Sequence, residues 1–99
     1  MSYTLIFNAE AENEYLAAYA WYEEKQQGLG ERFESEIEKQ LEEIRLNPLI
    51  YHFSKGNYRE ALVLHFPFSI VYFLNKKKKT IYISAIFHTS RNPKGKYRK

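Results

Sequence analysis

The chain contains no cysteine and no aspartate, and only four glycines and three prolines in 99 residues. Without cysteine there are no disulfides and no thiolate zinc site, which fits a reducing compartment. The three histidines show no metal-ligand spacing, so neither a metal nor any other cofactor is expected. Missing too are a glycine-rich phosphate loop, a nucleophile elbow and any paired aspartates, which argues against ordinary small-molecule metabolism. No apolar run approaches the roughly 20 residues that span a bilayer, and the first residues lack the charged and apolar regions of a secretory signal. A cytoplasmic protein with no membrane association is expected.

What is present is a core and a lopsided charge. Hydrophobic residues make up 44% and aromatic residues 17% of the chain, enough to fold rather than remain disordered. At this length one domain spanning residues 1–99 is expected, burying roughly 60–70% of its unfolded surface. The net charge of +3 hides an asymmetry: residues 1–53 hold eleven glutamates against four Lys or Arg, and residues 54–99 hold eleven Lys or Arg against Glu60 alone. Such a molecule can turn a basic face to a polyanion while its acidic face stays solvated.

Tyr3 to Phe7 reads as a short first strand, after which Asn8 can cap a helix. Ala11, Tyr15, Ala18, Tyr19 and Tyr22 recur at spacings of four and three and form one stripe. Gly28-Leu29-Gly30 breaks that pattern. A second stripe, Phe33, Ile37, Leu41 and Ile44, runs until Asn47-Pro48 stops it, so the two helices should form an antiparallel hairpin. Residues 49–57 show no period and read as an irregular connection. Three strands follow, over residues 60–66, 68–74 and 80–87, separated by Pro67 and by a turn containing Lys76 to Lys79. The expected fold is α+β in the order β-α-α-β-β-β, a helical hairpin packed on an antiparallel sheet. The middle strands are apolar on both sides, so the sheet face away from the helices should expose Val71 and Phe73 unless a partner covers them.

The candidate functional residues are His88, Arg91 and Tyr97, where the sheet ends, and Arg59 at the start of a strand. His88 has a ring that titrates near neutrality, Arg59 and Arg91 can grip phosphate in a fork, and Tyr97 can stack on a base or donate a proton. Such a cationic cluster beside a titratable ring suits an RNA phosphate, a DNA backbone or an acidic protein segment. Each residue also has a structural reading. His88 can hydrogen-bond a turn, Arg91-Asn92-Pro93 can be a turn, Tyr97 can dock the tail by packing, and Lys76 to Lys79 can be a solvated hairpin. His52 and His65 read as structural or surface residues, and Trp21 as core or a partner-facing rim.

The element order, together with Tyr58-Arg59, Phe66-Pro67-Phe68-Ser69-Ile70-Val71-Tyr72 and Ile86-Phe87-His88-Thr89-Ser90-Arg91-Asn92-Pro93, resembles the RelE/ParE superfamily of bacterial toxins, often labelled plasmid stabilisation proteins. The resemblance covers nearly the whole chain and implies the toxin of a type II toxin-antitoxin pair, neutralised by a cognate antitoxin. One branch of that superfamily cuts messenger RNA in the ribosome; the other poisons DNA gyrase. By position, Arg91 and Tyr97 resemble the tail arginine and tyrosine of the RNA-cutting branch, and Arg59 lies near its basic residues. Ser69 and Ala61, however, stand where that branch carries two further cations. The Phe-Pro-Phe turn and the His-x-x-Arg-Asn-Pro ending are more similar to the gyrase-poisoning branch. The resemblance therefore implies growth arrest by a ParE-like, non-cleaving mechanism such as inhibition of gyrase. Ribosome-dependent cleavage of messenger RNA and a nucleic-acid-binding module without toxicity are the alternatives. The oligomeric state and any codon preference are not legible in the sequence.

Overall fold

The computed structural model describes residues 3–90 and 96–98. Strand β1 (Thr4–Phe7) leads into helix α1 (Ala9–Lys25), then helix α2 (Leu29–Leu46) and the strands β2 (Phe53–Lys55), β3 (Tyr58–Leu62), β4 (Phe68–Asn75) and β5 (Thr80–His88). The Asn8 side chain accepts from the Glu10 N–H at 2.7 Å, closing the start of α1 as its position predicts. The turn between the helices needs glycine twice. Gly28 takes φ +88°, and a Cβ on Gly30 would sit 2.8 Å from the Tyr19 carbonyl oxygen, so the helices approach this closely only because Gly30 has none. Both Gly28 and Gly30 donate their N–H groups to the Glu23 carboxylate, at 2.9 and 3.0 Å, which satisfies otherwise orphaned donors at the start of α2.

The five strands form one sheet in the order β1-β5-β4-β3-β2. Three pairings are antiparallel and one, β1 with β5, is parallel, because the helical hairpin carries the chain back to the far edge. Two sequence expectations change. The segment read as irregular contains β2, too short and too polar for its period to show, and β3 starts at Tyr58 and ends at Leu62 rather than spanning 60–66. His65, with φ 70°, lies in the left-handed region and turns the chain before Pro67.

Alternation along β4 sorts the core. Phe68, Ile70 and Tyr72 face the helices, where Ala11, Phe33, Ile37, Leu41 and Ile44 meet them. Val71 faces the other way with Ala85 and Phe87. This second face was expected to be open, but Val71 has no exposed surface. The chain's own Tyr97 covers it together with Tyr58.

Candidate functional site

Tyr97 is held on the outer face of the sheet by aromatic contact and by charge. Its ring meets that of Tyr58 edge-on at 5.1 Å, and its hydroxyl donates to Glu60 at 3.3 Å. Lys96 pairs with the same carboxylate at 2.7 Å, and Ser69 donates to it at 3.1 Å. Burial alone would raise the Glu60 pKa, but the Lys96 ammonium and the Ser69 hydroxyl outweigh it and hold the carboxyl below its usual range. The tail then reaches the β5 edge. The Ser84 hydroxyl meets the carbonyls of Lys96 and Arg98, and the Arg98 guanidinium grips Glu14 of α1 through two bonds of 3.1 and 3.0 Å. Glu14 also accepts the Ile86 N–H at 3.0 Å, and Arg98 donates to the Ser84 carbonyl at 3.0 Å. β1 ends opposite Ile83, so these two side chains cap backbone groups of β5 that have no strand beside them.

His88 points to the other face. It pairs with Phe68 and meets that ring edge-on at 5.1 Å, and the turn after it is fixed by Thr89 donating its N–H to the Pro67 carbonyl at 2.8 Å. Its Nδ1 accepts the Ser90 N–H at 3.2 Å and lies 2.8 Å from the Ser90 hydroxyl. The Nδ1 side of the ring is thus taken up by the turn that follows it.

Arg59 lies on the helix side as well, but at the opposite end. It pairs with Tyr72, four positions along β4 from the Phe68 that pairs with His88, on the order of 13 Å away by strand rise alone. Its guanidinium donates to the Leu49 and Tyr51 carbonyls at 3.2 and 2.7 Å and stacks 3.9 Å over the Phe53 ring. Tyr72, fully buried, donates to the Pro48 carbonyl at 2.7 Å, so neighbouring strands pin the same loop. Arg91 lies outside the described residues.

The structure thus does not bring Arg59, His88 and Tyr97 together: two lie on one face at separate ends and the third on the other face. Ser69, one of the positions where the RNA-cutting branch carries a cation, is buried beside Glu60, and Ala61, the other, is buried against the helices. The residues that organise the tail, Glu14, Glu60, Lys96 and Arg98, escaped the sequence reading, in which Glu14 looked like solvated helix charge. The one hint was a lone acidic residue, Glu60, in an otherwise basic half.

A family model described as the ParE toxin of the type II toxin-antitoxin system, parDE, matches residues 5–93. The chain belongs to this toxin family. Its fold is similar to that of the chromosomal ParDE toxin-antitoxin system from P. aeruginosa, with a TM-score of 0.72, 19% identity and coverage of 89% of this chain and 97% of that one. The isolated RelE toxin of E. coli is also similar, with a TM-score of 0.66, 17% identity and coverage of 91% and 87%. An arginine-substituted form of E. coli RelE in the free state gives a TM-score of 0.66 at 16% identity, covering 91% of this chain and 86% of that one. No curated protein matches this ParE-family chain by sequence. Among the described residues no helix is long and apolar enough to cross a membrane.

Proposed function

We propose that this ParE-family toxin arrests growth by a non-cleaving mechanism, inhibition of DNA gyrase, and that a cognate antitoxin holds it inactive. The carrying observation is the dispersal, among the described residues, of Arg59, His88 and Tyr97, three of the parts that RNA cleavage would need. The His88 Nδ1 is taken up by Ser90, the Nη1 of Arg59 donates to two loop carbonyls, and Lys96 and Arg98 are paired with Glu60 and Glu14. General-base cleavage requires a proton acceptor and unpaired cations within reach of one phosphate. A protein that works by binding requires neither. The fold's likeness to a ParDE toxin-antitoxin system supports the antitoxin partner, and a cytoplasmic site of action follows from a gyrase target.

The test is a supercoiling assay with purified toxin, gyrase and relaxed plasmid, run beside a translation reaction programmed with a defined message. The proposal expects loss of supercoiling with the message intact. Cuts at ribosome-positioned sites with normal supercoiling would reverse it in favour of ribosome-dependent cleavage. Neither effect, from soluble protein that also fails to arrest growth, would leave a nucleic-acid-binding module without toxicity.

A further inference from the structure

The turn Lys76 to Lys79 joins β4 to β5, and all of its side chains are exposed. It is built to hold one shape. The Asn75 side chain accepts the Lys78 N–H at 3.0 Å, Lys79 donates its N–H to the Lys76 carbonyl at 3.3 Å, and the Thr80 hydroxyl donates to the Lys78 carbonyl at 3.1 Å. Lys79 sits at φ 53°, a left-handed conformation that glycine or asparagine takes at lower cost. Successive like charges also repel one another, and none of these lysines forms an ion pair among the described residues. Guarding a sheet edge does not explain them. β4 and β5 are inner strands, flanked by β3 and β1, so neither has an open edge to protect.

A second turn, at residues 56–57, projects beside the first. β3 runs antiparallel to β4 with Arg59 opposite Tyr72, which brings the β2–β3 turn to the same end of the sheet. Phe53, Asn57, Arg59, Leu74 and Lys76 line one concavity of about 210 Å³ there. Lys55, Arg59 and Lys76 to Lys79 therefore share this end. After Glu43 the sequence has a single acidic residue, Glu60, and Lys96 already pairs with it at 2.7 Å. His88 closes β5 at the other end of the strand, roughly 26 Å away by strand rise.

We infer that this end of the sheet docks on the sugar-phosphate backbone of duplex DNA, its lysines meeting phosphates without reading bases. Lysine is a point charge suited to phosphate, and Arg59 has its Nη1 committed to the Leu49 and Tyr51 carbonyls. A single strand would call for open ring faces on which bases stack. Here cations lie over the rings: Arg59 over Phe53 at 3.9 Å, Lys79 over Tyr3 at 5.4 Å and Lys55 over Tyr97 at 5.6 Å. From β5 to β2 the cations span three strand spacings, about 14 Å. Over that length a duplex carries about eight phosphate charges and one of its strands about four, so only the duplex offers every cation a partner within the span. DNA is assigned over RNA because the proposed target is an enzyme that works on DNA, and this part rests on the gyrase reading.

The experiment is a titration of full-length toxin onto a labelled DNA duplex of about 20 base pairs, followed by anisotropy at salt concentrations from about 50 to 200 mM. Each phosphate contact contributes about 0.9 to the slope of log K against log salt, so Lys77→Gln with Lys78→Gln should flatten that slope by about 1.8. Over this range the unmodified protein should then lose roughly twelvefold more affinity than the variant. Lys25→Gln with Arg32→Gln removes the same charge at the turn between the helices and should leave the slope unchanged. All of these side chains are exposed, so neither pair should move Tm. Equal flattening by both pairs, an unchanged slope in the lysine variant, or no binding by the unmodified protein would overturn the inference. Tighter binding of duplex RNA or of single-stranded DNA of the same length would overturn the assignment to duplex DNA. Displacement by polyglutamate as readily as by unlabelled duplex would assign the patch to an acidic protein segment instead. Gyrase is absent from the titration, so its failure leaves the supercoiling result standing, and a toxin that binds duplex DNA without blocking supercoiling fails only the gyrase reading.

Discussion

Replacing Tyr72 by Phe isolates a single buried oxygen. Tyr72 has no exposed surface, and its hydroxyl donates to the Pro48 carbonyl at 2.7 Å. The ring stays, so the core loses no packing, its edge-on contact with Tyr51 at 6.4 Å is kept, and the cavity created is the size of one oxygen atom. What is lost is a hydrogen bond whose acceptor then remains unsatisfied in a dry setting, a cost of about 1–2 kcal/mol. For a domain of this size that lowers Tm by roughly 4–16 °C. Arg59 holds the next carbonyls of the same segment, so the two anchors should couple in a double substitution. Burial also pushes the Tyr72 phenol well above its usual range. A raised native pKa means that the folded state keeps the proton while the unfolded chain loses it near pH 10, so this stability is complete below that pH and falls as pH rises through the native value. Thermal denaturation by circular dichroism at pH 7, and a pH series from 8 to 11, measure both effects. A Tm within 2 °C of the unmodified protein, with the same alkaline slope, would refute the reasoning about this anchor.

Changing Glu14 to Gln leaves an acceptor for the Ile86 N–H but removes the charge that Arg98 grips; a loss of about 1 kcal/mol is expected, with faster trimming of the tail by carboxypeptidase. Equal trimming rates would show that the clamp does not hold the tail. Gly30→Ala should destabilise by about 1–3 kcal/mol despite alanine's better helix propensity, because the new methyl meets the Tyr19 carbonyl at 2.8 Å; a more stable variant in urea unfolding would contradict this. Glu60 has a lowered pKa, so its contribution is present above the unfolded value near 4.3 and is lost as pH falls through the native one. Lys96→Met should therefore flatten the acid limb of the stability curve, and an unchanged limb between pH 5 and 3 would count against the pair.

Much of the fold was legible because it depends on period. The stripes Tyr15-Tyr19-Tyr22 and Phe33-Ile37-Leu41-Ile44 are helical wherever they occur, and both pack on the core. Short elements carried less signal. Phe53–Lys55 is three exposed residues whose strand character comes from pairing with β3, a long-range contact that no local pattern records. Among the described residues Arg59, His88 and Tyr97 lie apart for a related reason. Residue type identified Arg59, His88 and Tyr97 as able to do chemistry, but the face each one occupies depends on strand register, and Tyr97 is held on the outer face by Tyr58 and Glu60 and by the anchoring of its neighbours Lys96 and Arg98 to Glu60 and Glu14. A glutamate that clamps an arginine 84 positions away looks, in the sequence, like any other on a soluble helix.

The most direct test of a non-cleaving, gyrase-directed toxin is pulse labelling after induction of the chain alone in growing cells. The account predicts that thymidine incorporation falls first, while leucine incorporation continues and messenger RNAs stay full length. Immediate collapse of leucine incorporation, with messages cut at ribosome-positioned sites while DNA synthesis continues, would contradict it.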